Sequence, residues 1–169
     1  MKTLLILRHA KSSWKDEKLT DRDRPLSKRG KRQAPEMGEM LRSLAIIPDV
    51  LLSSPARRAR DTAVLVAEKC GYAGEVEFVN DFYPGGRQEY LQVLNNLPDD
   101  VECVLVVGHN PGLEDLLAML LRRAEVLSTA ALAQVSLPVE HWWQVNEDTR
   151  GTLVRIWRPA EEEGRLTGL

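Results

Sequence analysis

The stretch "VECVLVVGHNPGLEDLLAMLL", residues 101–121, changes its period in the middle. Val101 to Val107 is a short apolar run, the pattern of a strand buried on both faces. After Gly108 the apolar positions become Leu113, Leu116, Leu117, Leu120 and Leu121, the spacing of one helix face. Between the two, Gly108 loosens the turn, Asn110 is placed to cap a helix and Pro111 to begin it. A buried strand that leads straight into an amphipathic helix is half of a β-α-β unit, which implies helices covering the sheet.

The same alternation runs outward from this stretch. Thr3 to Leu7, Val50 to Leu52 and Val76 to Val79 are further short apolar runs. Ala131 to Val139 and Gly151 to Trp157 read as strands, the latter with Thr152, Val154 and Ile156 alternating. Helical stripes separate the earlier strands: Ala34, Met37, Leu41 and Leu44 behind a Ser27 cap, then Ala59, Thr62, Ala63, Val66 and Cys70, then Tyr90, Leu91 and Leu94. Gly30, Pro35 and Gly38 lie inside the first helix and are expected to weaken or kink it. The order β-α-β-α-β-α-β-α-β-β predicts an α/β fold, a three-layer α/β/α sandwich with a mostly parallel sheet. A single domain is expected over residues 1–160, with a polar C-terminal tail over 161–169.

The 169 residues carry 23 Lys and Arg against 25 Asp and Glu, a formal net charge of −2. Because the signs are mixed along the chain, neither a nucleic acid nor a membrane surface is indicated as a partner. The apolar runs are too short to span a bilayer. The two cysteines, Cys70 and Cys103, read as free thiols, and no signal-peptide pattern opens the chain. A cytoplasmic location is expected. The pattern leaves the oligomeric state open and is compatible with a monomer.

In open α/β sheets, ligands gather beyond the carboxyl ends of the strands. Three such ends carry arginine or histidine. The first strand runs into Arg8 and His9 of "LILRHAKSSW", residues 5–14. The second runs into "SSPARRARDTA", residues 53–63, where Ser54 is placed to cap a helix and Pro55 to start it. Arg57, Arg58 and Arg60 fall in the first two turns of that helix, and helical spacing leaves two of the three for a solvated face. The fourth strand delivers His109. Each piece alone has an ordinary reading as a strand-end arginine, a hydrogen-bonded histidine or a solvated helix. Yet two of only three histidines occupy equivalent strand ends. Two guanidinium groups, a helix N-terminus and imidazoles make a clamp for a phosphoryl group. Neighbouring cations keep one imidazole neutral, so that it can attack phosphorus and form a phosphohistidine that water then hydrolyses. Fixed cations do the work of a metal in such a site, and no cofactor is expected.

The segments "LRHAKSSW", "RPLSKRGKRQA", "SSPARRARDTA" and "VVGHNPG", in this order, resemble the histidine phosphatase superfamily. Within it the chain is similar to the small SixA-type phosphohistidine phosphatases, from Thr3 to about Pro159. The resemblance implies a phosphoglycerate mutase-like fold with His9 as nucleophile, Arg8 and Arg58 on the phosphate and His109 as the second catalytic histidine. It also implies that Ser12, where relatives often carry threonine, contacts substrate.

The sequence departs from the family pattern at two places. Ala10 stands where the first motif usually has glycine. The family's general acid has no evident counterpart: in "FVNDFYPGGRQEY", residues 78–90, Asp81 and Glu89 are the nearest candidates, and solvated carboxylates are an equal reading of both. General acid help is typically worth about 10² to 10⁴-fold when an alkoxide must leave. Phosphohistidine needs it less, because its leaving nitrogen is readily protonated. The segment from Asp81 to Val101 is also too short for a large cap domain. The expected activity is therefore hydrolysis of protein phosphohistidine. The other readings are a phosphatase of small phosphate esters and a phosphate-binding module without turnover. The partner is accordingly a phosphorylated protein or a small phosphorylated molecule. The basic stretch from Lys18 to Arg32 and the nearby Trp14 could face that partner or only solvent. Trp142 and Trp143 are expected to pack on the sheet, and His141, without neighbours at ligand spacing, to be structural or on the surface.

Overall fold

The structure is a computed structural model that describes residues 1–159 and the backbone of 166–168. Its centre is one seven-stranded sheet. The strands are β1 (Lys2–Arg8), β2 (Val50–Ser53), β3 (Glu77–Phe78), β4 (Cys103–Gly108), β5 (Leu132–Leu137), β6 (Thr152–Pro159) and β7 (Leu166–Gly168), in the spatial order β3-β2-β4-β1-β5-β6-β7. Pairing is parallel from β3 through β1 and antiparallel from β1 onward to β7. Five strands therefore share one direction, and β5 and β7 oppose them. Of the polar tail expected over 161–169, residues 160–165 and 169 lie outside the described residues, while Leu166–Gly168 pairs with β6.

Four helices cover the sheet: α1 (Lys28–Ser43), α2 (Arg57–Cys70), α3 (Arg87–Asn95) and α4 (Gly112–Leu121). The alternation of strand side chains decides which helix meets which face. Leu5 and Leu7 of β1, Leu51 of β2 and Leu105 and Val107 of β4 pack with Ala34, Met37 and Leu41 of α1 and Ala63 and Val66 of α2. Leu4, Ile6, Leu52, Val104 and Val106 point the other way, into Tyr90, Leu91 and Leu94 of α3 and Leu113, Leu116 and Leu120 of α4. Burying each Val, Leu, Ile or Met side chain among these contributes about 1.5–3 kcal/mol. The topology follows from handedness. From β1 to β3 the chain moves toward one edge, and from β3 to β4 it moves back. Right-handed crossovers therefore put α1 and α2 on one face and α3 on the other.

Ser27 caps α1 by accepting from the Gly30 amide at 3.1 Å. The helix runs without a break through Pro35. Gly38 is a packing requirement, since a Cβ there would lie 2.7 Å from both Lys69 Cβ and the Val66 carbonyl of α2. The two expected caps downstream are replaced. Ala56 precedes α2 and Pro111 precedes α4; Ser54 Oγ accepts from the Ala56 amide one residue before α2 and also reaches His109, while Asn110 Nδ2 donates to the Leu127 carbonyl. The tryptophan pair also splits. Trp142 is fully buried and donates from Nε1 to the Val101 carbonyl at 2.7 Å, whereas Trp143 is exposed and stacks on His141. His141 reaches Asp99 at 2.9 Å. Both cysteines are free thiols, Cys70 buried and Cys103 partly so.

Candidate active site

The adjacent strands β2, β4 and β1 end at one pocket of about 390 Å³. Arg8 closes β1 and His9 follows it. Arg58 sits in the first turn of α2, just after β2, and His109 follows β4 directly. All four line the pocket. Arg57 and Arg60 are exposed, and Arg57 pairs with Asp61 one turn on, as the helical spacing requires.

The backbone around His9 is fixed from three sides. Its amide donates to the Gly108 carbonyl at 3.0 Å. The Ala130 amide reaches the carbonyls of both Arg8 and His9 at 3.1 Å. Ala130 holds φ at 61°, a left-handed conformation that costs a non-glycine residue about 1–3 kcal/mol and is retained beside the pocket. On the far side, the Ala10 amide donates to Thr62 Oγ1, which itself donates to the Arg58 carbonyl at 2.7 Å. The turn after β1 is thereby tied to α2.

His9 Nδ1 lies 2.7 Å from the carbonyl of Ala10, so Nδ1 carries the proton and Nε2 keeps its lone pair. Burial lowers the His9 pKa from 6.5 to about 3 against the raising effect of that hydrogen bond, and His109, Arg58 and Arg8 lower it further. Burial and Arg58 also bring His109 down to about 4. Both rings are neutral at pH 7, with centroids 5.1 Å apart. His109 Nε2 lies 2.7 Å from Ser54 Oγ, and its amide donates to Tyr90 Oη. That approach of Tyr90 needs Gly108, where a Cβ would lie 2.2 Å from the hydroxyl.

Arg8 is anchored by Nη1 on the Leu127 carbonyl, which Asn110 Nδ2 also reaches, while Glu114 accepts from the Leu127 amide. Arg58 donates from Nη1 to the Asp21 carbonyl and from Nη2 to the Asp21 carboxylate. Among the described residues, the buried Nε atoms of Arg8 and Arg58 have no hydrogen-bond partner. Four cations, Arg8, Lys11, Arg24 and Arg58, line the pocket against one carboxylate, Asp21, a local excess of three positive charges in a chain whose net charge is −2.

Ser12 also lines the pocket, and its hydroxyl accepts from Arg24 Nη1 at 2.8 Å. Asp81 and Glu89 are not brought to it. Asp81 borders a separate depression between β3 and α3, and Glu89 lies exposed on α3 beside Gly86. The 3-10 turn Asn80–Phe82 buries Phe82, leaving Asp81 on one side and Tyr83 at the pocket. The carboxylate at the pocket is Asp21, from the 3-10 turn Asp21–Asp23. It accepts from Tyr83 Oη at 2.5 Å and pairs with Arg58 and Arg24. The Tyr83 hydrogen bond leads in pulling its pKa down to about 2, with Arg58 adding, so it is an acceptor and not an acid at neutral pH. Sequence pattern alone does not single out Asp21, Arg24 or Tyr83. The signal for the first two is the run "TDRDRP", residues 20–25, at the start of the second motif. Trp14 walls the pocket, with the Arg24 guanidinium 3.4 Å above its ring. Among the described residues, no group of three or more His, Cys, Asp or Glu side chains is placed to hold a metal ion. No helix among them is long and apolar enough to cross a membrane.

The family model of the histidine phosphatase superfamily (branch 1) matches residues 4–82. That match takes in Arg8, His9 and Arg58, covers a little under half of the chain, and ends before His109. The architecture is that of the SixA structures. The SixA structure from Nakamurella multipartitia superposes with a TM-score of 0.82 at 27% identity, covering 94% of this chain and 96% of that one. The protein histidine phosphatase SixA solved with tungstate gives 0.76 at 24% identity, over 89% and 93% of the two chains. Among the described residues no large cap domain is inserted, and the phosphoglycerate mutase-like fold expected from the sequence is the one observed. Among curated sequences, an uncharacterized chloroplastic protein of Arabidopsis thaliana is 38% identical over 142 residues, 78% of this chain. An uncharacterized protein of Mycobacterium tuberculosis is 35% identical over 105 residues, 62% of this chain. The chain spans 65% and 63% of the lengths of those two relatives.

Proposed function

We propose that this chain is a phosphatase that hydrolyses phosphohistidine on a protein through a covalent intermediate on His9. The observation that carries the reading is the pairing of a neutral His9, protonated at Nδ1, with a pocket whose carboxylate is already ionised. The superfamily match and the SixA-type fold support it. In the first step the Nε2 lone pair of His9 attacks phosphorus, and the bond between phosphorus and the substrate nitrogen breaks. The substrate imidazole leaves with that electron pair. When it is protonated on its other nitrogen it departs as neutral imidazole, with no acid needed from the protein. The phosphorylated His9 ring becomes cationic and keeps its Nδ1 proton on the Ala10 carbonyl. In the second step water attacks phosphorus, Nε2 leaves with its pair, and the water's proton goes to the phosphate released. Arg8, Arg58 and His109 hold the equatorial oxygens where charge gathers, and Ser12 adds a hydroxyl.

A carboxylic acid would be needed to expel an alkoxide from a small ester, and Asp21 is not protonated at neutral pH. This favours a phosphoramidate over an alkyl phosphate. The test is a panel of a phosphohistidine protein, phosphohistidine peptides and several alkyl phosphates. The expected order puts phosphohistidine first, and a clear preference for an alkyl ester overturns the substrate assignment. Acid-labile, base-stable label should appear on His9, and His9→Ala should lose the label and roughly 10³-fold or more in turnover. Label that survives His9→Ala rejects the nucleophile.

A further inference from the structure

The loop that follows His9 divides two depressions. Ser12 and Trp14 line the phosphoryl pocket, Ser13 and Lys15 line a second groove of about 640 Å³, and Lys11 borders both. Side chains alternate along Lys11–Lys15, so the groove lies across this loop from the pocket, with Lys11 at the edge the two share. Its far wall is the start of α1. Five cations line it, Lys11, Lys15, Lys28, Arg29 and Lys31, with no acidic residue. All five are exposed and none is ion-paired among the described residues. At the ridge between the two depressions stands Trp14, 70% exposed.

We propose that this groove docks an acidic segment of the phosphoprotein substrate, so that the phosphorylated side chain enters the pocket while flanking carboxylates lie along Lys15, Lys28 and Lys31. The proposal rests on the phosphoprotein reading above and extends it to how that protein is selected. The unpaired cations supply steering and register. The exposed tryptophan ridge is the reason to choose a protein over a small polyanion, since Trp14 with the Arg24 guanidinium stacked on it is the Trp and Arg composition of a protein-binding hot spot.

The test uses the triple variant Lys15→Glu, Lys28→Glu, Lys31→Glu. Two of its carboxylates fall in the first turn of α1, where the helix dipole favours them, so folding is expected to survive. Lys15→Glu alone, in the loop, is the second variant if it does not. Binding is read first, without turnover, by the anisotropy of a fluorescein-labelled, unphosphorylated Glu-rich peptide at low salt. The wild-type chain should bind it, and the triple variant should bind at least about tenfold more weakly. Failure of the wild-type chain to bind, or binding of inorganic tripolyphosphate without binding of the peptide, overturns the proposal. Turnover is read second. On an acidic, histidine-phosphorylated carrier protein the variant's kcat/KM should fall about tenfold through KM, with free phosphohistidine unchanged. Equal losses on both substrates overturn docking. If the wild-type chain turns over no phosphorylated substrate, the phosphatase reading has failed, and the anisotropy result alone decides the groove.

Discussion

The imidazoles of His9 and His109 face each other at 5.1 Å between centroids, tilted by 55°, with both rings driven to the neutral form mainly by burial. In the unfolded chain each would bind a proton below its ordinary value of 6.5, while in the fold they resist protonation until about 3 and about 4. The unfolded state therefore binds more protons across this window, and stability rises with pH through it. The stabilisation is full above pH 6.5 and is lost as pH falls, through about 4 for His109 and about 3 for His9. Asp21, with its pKa lowered to about 2, acts in the same direction at still lower pH. Urea midpoints are expected to be flat above pH 7 and to decline below 6.5, less steeply in His9→Gln. A midpoint that rises on acidification contradicts buried neutral histidines, as do ring proton resonances of His9 or His109 that titrate near 6.5.

Arg58 meets Asp21 twice, through the backbone carbonyl at 2.7 Å and the carboxylate at 3.1 Å. Asp21→Asn keeps the backbone contact, and therefore most of the Arg58 geometry, while removing the one negative charge from the pocket lining. Inorganic phosphate should then inhibit at several-fold lower concentration, since an anion no longer repels it across the pocket. Turnover of phosphohistidine should remain within about tenfold of wild type, because the carboxylate has no proton to give. A loss of about 10²-fold or more on phosphohistidine would instead assign Asp21 an acid or base role.

The strand ends are legible in the sequence because a change of period fixes where a chain leaves the sheet. Arg8, His9, Arg58 and His109 all lie within a few residues of such a change, and the 3.6-residue period also separates Arg58 from Arg57 and Arg60. Asp21 and Tyr83 are not legible, and one physical reason covers both. Each sits on or beside a 3-10 turn that has no periodicity, and what brings them together is tertiary, a hydrogen bond between residues 62 positions apart. Asp81 is a carboxylate in the segment where an acid is expected, yet the burial of Phe82 turns Tyr83 to the pocket instead. Neither Ser54 nor Asn110 is the residue that caps its helix: Ser54 Oγ accepts from the Ala56 amide but also meets the site, and Asn110 is turned to it. One partner is a histidine 55 positions away, and the other is the Leu127 carbonyl.

Gly38 offers a stability test in which two known effects compete. Replacing a helical glycine by alanine is worth about 1 kcal/mol in propensity. Here the new Cβ would lie 2.7 Å from the Val66 carbonyl and 3.1 Å from Val66 Cα, atoms of the α2 backbone that cannot rotate away. Overpacking of that kind costs about 1–3 kcal/mol. The steric cost is expected to outweigh the gain in propensity, so Gly38→Ala should lower Tm, at about 2–4 °C per kcal/mol for a chain of this size. A Tm that rises would mean that α1 and α2 can separate without loss.

Ser54 is fully buried, and its Oγ accepts from the Ala56 amide at 3.2 Å. Its own proton is then directed to His109 Nε2, 2.7 Å away, which makes the neutral ring carry its proton on Nδ1. Ser54→Ala removes that constraint and leaves a buried ring nitrogen unpaired. The expected stability loss is about 1–3 kcal/mol. Activity should fall about tenfold through kcat, because the ring can then adopt either tautomer. Ser54→Thr, which keeps the hydroxyl, should restore most of the rate. If Ser54→Ala loses stability while kcat is unchanged, Ser54 only packs the site, and the orientation of His109 must be set by the Tyr90 hydroxyl at its backbone amide.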